Sequence, residues 1–186
     1  MSQVLTMTAV TSDLVSGLAA VCDVPFEFES VSAIAKQNGW KLIPPEDWET
    51  AGDPFLRIQM DAEHPSLLAL WGAETLAGVP LAVIYQDDVT VGLTDETIAA
   101  FETQFNDAKR TCDAKLGPPT IAGTYTSDHQ PFPLNFALYQ RRHSTFALLQ
   151  HDEGDGHLGN DASLDIRIVP GSADRIELPL ETNLIF

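Results

Sequence analysis

The sequence predicts an α+β domain: a mostly antiparallel sheet with two N-terminal helices and one long central helix packed on it. Three observations carry that prediction. Ile98, Phe101, Phe105, Ala108 and Cys112 recur at alternating spacings of three and four residues, the stripe of a helix with one buried face. Residues 79–85 (VPLAVIY) form a near-continuous apolar run, as in a strand buried on both faces. Residues 134–140 and 145–150 are β-prone segments on either side of the polar stretch 141–144, which is a hairpin pattern.

The remaining elements follow in chain order. The first ten residues lack a clear period and read as a tail or a short strand. Ser12 and Asp13 offer an N-cap to Leu14, Val15, Leu18 and Val21 at helical spacing, and Pro25 enforces a stop. Ser30 begins a second short helix with Val31, Ile34 and Ala35 on one face. Asn38-Gly39 ends it, because glycine enters the left-handed conformation at little cost. Residues 40–43, 55–60 and 66–71 read as short strands, and 89–93 as an edge strand. Thr94 caps the long helix. Asp95 and Glu96 lie in its first turn and Lys109, Arg110 and Lys115 in its last turns, each sign where the helix dipole favours it. Gly117-Pro118-Pro119 terminates it. Residues 121–125 form a strand. Residues 164–169 alternate Leu164, Ile166 and Ile168 against Asp165 and Arg167, the pattern of a half-exposed strand. A last strand is expected at 176–180. The whole of 1–186 forms a single domain, with a sub-boundary near 117–120 as the place where it could divide.

Charge is the least ordinary property. The 186 residues hold 27 acidic against 10 basic side chains, a net charge of −17, while the hydrophobic fraction of 44% is that of a folded chain. The basic residues are too scattered to draw a stripe along a nucleic-acid backbone, and an anionic membrane would repel the chain. The field favours a basic protein partner or cations, and high solubility. Cys22 and Cys112 are isolated among small or apolar residues, which predicts buried free thiols and neither a disulfide framework nor a zinc site. No Lys or Arg precedes Lys36, so a secretory signal would lack its charged region. No apolar run approaches the ~18 residues of a membrane span. The expected compartment is the cytoplasm, and no cofactor is expected.

Residues 154–159 (GDGHLG) match the glycine pattern of dinucleotide-binding loops. The context fails: a strand, not a helix, follows, and Asp152, Glu153 and Asp155 would repel a pyrophosphate. The same loop has a second reading. His151, Asp152, Glu153, Asp155, His157 and Asp161 are all capable of binding a metal, and His151, Asp155 and His157 are the ligands it would use. The spacing fits no EF-hand, because Ala162 falls where the closing Glu belongs. Without a metal the loop is an acidic, solvated turn. Under the partner-binding reading, Asp152, Glu153, Asp155 and Asp161 face a basic protein, joined by Glu46, Asp47 and Trp48, an aromatic anchor inside a second acidic loop. There is no G-x-S-x-G elbow, no H-E-x-x-H and no P-loop, so no catalytic residue is assigned.

The layout from Phe101 to Val169 runs from a helix through Lys115-Leu116-Gly117-Pro118-Pro119 to a hairpin with Leu138-Tyr139 and Phe146-Ala147-Leu148-Leu149. It resembles small acidic bacterial immunity-type proteins, which neutralise toxins. The resemblance covers the C-terminal half and implies a non-enzymatic inhibitor of a basic toxin or effector. It transfers no functional residues. The alternative is a metal-binding protein or metal-dependent enzyme using the 151–161 loop.

Overall fold

The computed structural model describes residues 2–43, 55–60, 67–71, 77–86, 92–127, 130–152 and 160–178. Nine strands and three helices are described: β1 (Ser2–Thr6), α1 (Ser12–Cys22), α2 (Phe28–Gln37), β2 (Lys41–Ile43), β3 (Phe55–Gln59), β4 (Leu67–Trp71), β5 (Ala77–Gln86), α3 (Asp95–Leu116), β6 (Ile121–Tyr125), β7 (Leu134–Gln140), β8 (Ser144–Asp152) and β9 (Asn160–Pro170). A six-stranded sheet has the order β1-β5-β9-β8-β7-β6, and β2-β3-β4 form a smaller one. Every described strand pair is antiparallel. The α+β class predicted from the sequence is the class observed.

β6 to β9 form a meander, so short turns suffice between neighbours. Two longer connections feed the sheet: β1 reaches its neighbour β5 by way of α1, α2 and β2-β3-β4, and β5 reaches β6, across the width of the sheet, by way of α3. At 22 residues this helix is about 33 Å long, enough to cross the face it covers. Its stripe buries Phe101, Phe105, Ala108 and Cys112 against the sheet. α1 lies beside it and buries Val15, Leu18, Val21 and Cys22 in the same core, together with Val79, Ile84, Phe146, Leu148, Ile166 and Ile168 from the strands.

The caps are local chemistry. Thr94 Oγ1 accepts from the Thr97 amide at 3.1 Å. The α1 cap is Thr11, one residue before the expected pair, and its Oγ1 accepts from the Leu14 amide at 3.1 Å. α2 begins at Phe28, two residues before Ser30, behind Glu27, which makes no side-chain cap. Gly39 takes φ +70°, as the Asn-Gly stop requires. Gly17 has a packing reason: a Cβ there would stand 2.4 Å from Trp40 Cζ2.

Two expectations need correction. Residues 173–175 form a short 3-10 turn, and no strand continues from it through residue 178, the last residue described at this end. Asp165 and Arg167 are not on a half-exposed strand; both have 0% exposure. β9 sits between β5 and β8 in the middle of the sheet, so the alternation that read as inside and outside is a choice between two buried faces. The helix-facing side takes Leu164, Ile166 and Ile168. The other side takes Ser163, Asp165 and Arg167, and that burial is tolerable because the two charges pair.

Candidate functional site

The second face of the sheet has two zones. Toward β7, Leu138, Ala147, Leu149 and Ala173 form a small apolar cluster, with Phe136, Val169, Ile176 and Leu178 against it. Toward β5 the zone is polar. The register sets His151 of β8 opposite Ser163 of β9, with Leu149 opposite Asp165 and Ala147 opposite Arg167. Small or aliphatic neighbours on β8 leave room for Arg167 to fold back along its own strand. Its Nε and Nη2 donate to Asp165 Oδ2 at 3.2 and 3.0 Å.

His151 completes the group. Its Nδ1 lies 3.1 Å from the Asp152 carbonyl oxygen, which can only accept, so Nδ1 carries a proton. Its Nε2 lies 2.7 Å from Asp165 Oδ2, 2.6 Å from Ser163 Oγ and 2.5 Å from Arg167 Nη2. One ring nitrogen offers a single donor or acceptor site, so these three neighbours compete for it. Burial pushes the Asp165 carboxyl upward, but the adjacent His151 and Arg167 outweigh it and hold the group below the ordinary carboxylate value.

Serine, histidine and aspartate together invite a nucleophile reading, and the geometry decides against it. A relay uses both ring nitrogens, one for the carboxylate and one for the hydroxyl. Here Ser163 and Asp165 share Nε2, and Ser163 is 1% exposed, beyond reach of a substrate. The cluster is a buried ion-pair network in the sheet. The sequence signal that could have found it was Asp165 and Arg167 inside a strand whose neighbours are all apolar or small.

The residues singled out from the sequence fare unequally. His151 is in the network. Asp152, the next residue, is held by Ser127 Oγ and by Gln130 Nε2 at 3.3 Å. Asp161 lies in β9. Glu153, Asp155 and His157, and Glu46, Asp47 and Trp48, lie outside the described residues. Among the described residues no group of three or more His, Cys, Asp or Glu is placed to hold a metal. The flanks of the glycine-rich loop are β8 and β9, an antiparallel pair, so it joins strand to strand, without the helix that would receive a pyrophosphate.

Elsewhere, Arg141, Lys109 and Arg110 turn to the chain's own acids. Arg141, in the β7–β8 turn, grips Asp23 at the end of α1 with Nε at 3.1 Å and Nη2 at 2.5 Å, and the Arg142 amide donates to the same carboxylate. Lys109 pairs with Asp113 at 2.6 Å and Arg110 with Asp107. Asp113 also accepts from Tyr139 Oη at 2.8 Å. On the outside of the helical layer the exposed acids Asp13, Glu27, Glu29, Asp95, Glu96 and Glu102 outnumber the exposed bases Lys36, Arg110 and Lys115. A cleft of about 280 Å³ opens between α3 and the chain leaving β1, lined in part by Thr6, Thr8, Val10, Leu81 and Gln104. No helix among the described residues is long and apolar enough to cross a membrane.

Comparison with protein families, curated proteins and solved structures finds no match to this chain.

Proposed function

We propose that this is a non-enzymatic acidic binding protein whose surface engages a basic protein partner. The observation that carries the reading is where the scarce positive charge goes. Of the 10 basic side chains, Arg167, Arg141, Lys109 and Arg110 are each turned to a carboxylate of the chain itself, and on the outer helical surface the exposed acids outnumber the exposed Lys36, Arg110 and Lys115. A net charge of −17 speeds encounter with a cationic surface and repels anionic ones. The buried His151–Asp165–Arg167 network supports the reading from the other side, since its ionisable groups are committed to each other.

The particular form we favour is an immunity-type inhibitor of a basic toxin or effector, in keeping with the resemblance of the C-terminal half. Such inhibitors gain from dense negative charge because it substitutes for a polyanion and accelerates capture. The test is affinity capture from the source cells at low and high salt with the full chain as bait. Recovery of a basic protein, with affinity falling steeply as salt rises, is expected. Recovery of no basic protein, or binding indifferent to salt, overturns the proposal.

A further inference from the structure

We propose that β6, at one edge of the large sheet, is a self-pairing surface through which two copies of this chain join their sheets about a two-fold axis. Ile121, Ala122, Gly123 and Thr124 are all exposed. An edge strand turns alternate backbone N–H and C=O groups outward, so the chemistry it recognises is another extended backbone. Sheet edges are ordinarily blunted by charge, proline, a bulge or a covering segment. β6 contains no charged residue and no proline. Its register with β7 runs from Ile121↔Leu138 to Tyr125↔Leu134 without a shift. Its exposure shows that no segment covers it among the described residues.

The strand is also held in shape. The Phe136 ring lies over Gly123, 3.4 Å from where a Cβ would stand, and fills the place of the missing side chain. It meets the Tyr125 ring at 6.3 Å, and Tyr125 Oη donates to the Gln150 carbonyl at 2.7 Å. A strand ordered beforehand loses little conformational entropy on pairing.

Charge selects the occupant. Residues 117–127 (GPPTIAGTYTS) carry no charge in a chain whose net charge is −17, so two copies can meet along this strip without setting carboxylates against each other. The opposite edge differs. Ser2 of β1 is bonded to Thr97 at 3.0 Å, next to the exposed Asp95 and Glu96, and two copies meeting there would oppose those carboxylates. The β6 sequence is also self-complementary. A two-fold axis at Gly123 pairs Ile121 with Tyr125 of the second copy and Ala122 with Thr124 of the second copy. That opposes uncharged residues at each end and leaves glycine facing glycine at the centre. The contact is isologous, so it closes at a dimer and leaves no β6 edge open.

The test is sedimentation of the full chain over a concentration series. The expected mass rises from 20.2 kDa toward twice that value. Ala122→Glu with Thr124→Glu sets carboxylates opposite each other in the proposed register and should weaken the dimer roughly tenfold or more. Both positions are exposed, so the monomer should melt as the parent does. Mixing this variant with Ala122→Lys/Thr124→Lys should restore a mixed dimer tighter than either variant with itself. A species that stays at monomer mass, a dimer indifferent to the paired Glu substitutions, or a mixture no tighter than its components overturns the proposal.

Discussion

Removing the Asp165 carboxylate should cost a large share of the protein's stability, and removing its partner as well should largely reverse the damage. Asp165 accepts from Arg167 Nε and Nη2 and lies 2.7 Å from His151 Nε2. In Asp165→Ala the guanidinium remains at 0% exposure with nothing to neutralise it, and its Nη1 already has no partner. An uncompensated buried charge of this kind costs about 3–5 kcal/mol, against a total stability of about 5–15 kcal/mol. For a chain of this size each kcal/mol moves the melting temperature by roughly 2–4 °C, so a fall of roughly 6–20 °C is expected. Asp165→Leu with Arg167→Met removes both charges and fills their space with apolar atoms. It should melt near the parent or above it, because the desolvation cost of the pair disappears along with its attraction. His151 keeps Nδ1 on the Asp152 carbonyl, and Ser163 can donate to Nε2. Calorimetry or urea melts of the three proteins decide the matter. A single variant that loses under about 1 kcal/mol, or a double variant no better than the single, would refute the reasoning. The pH dependence has a definite sign. The folded carboxyl lies below its ordinary value of 3.8. Its contribution is therefore complete above that value and is lost as pH falls through the lower folded one. The double variant should lack this component of acid unfolding.

Two further outcomes follow from packing. Gly17→Ala should destabilise despite the gain of up to ~1 kcal/mol in helix propensity, because its Cβ would stand 2.4 Å from the Trp40 ring and overpacking costs about 1–3 kcal/mol; pairing it with Trp40→Leu in a melt should recover part of the loss. Cys22 and Cys112 should resist a thiol reagent at mildly alkaline pH until the chain is unfolded. Burial raises both thiols, Cys112 up to about 12 and Cys22 further, so the reactive thiolate is scarce as well as hidden; prompt labelling of the native protein would contradict this.

The helices and most strands were legible because their signals are local. The α3 stripe, the Thr94 cap and the apolar run of β5 each depend on residues within a few positions of one another. The capping of α1 by Thr11 and the start of α2 at Phe28 escaped by one or two residues, since several neighbouring side chains could serve at those ends. The network around His151 was not legible. The pattern puts His151 in a loop among metal-capable side chains and Asp165 and Arg167 on a solvent-facing side, because a period of two says which residues share a face and nothing about what lies over it.

By itself, the sequence determined the α+β class, the main elements, the buried thiols and a net negative charge. These follow from composition and from patterns shorter than one element. Only the tertiary structure decided that β9 lies in the middle of the sheet, with Asp165 and Arg167 closed off beside His151, and that uncharged β6 stands at the edge. Strand order is set by long-range pairing, and it converts the same alternating pattern into a buried ion pair at one position and an open backbone at another.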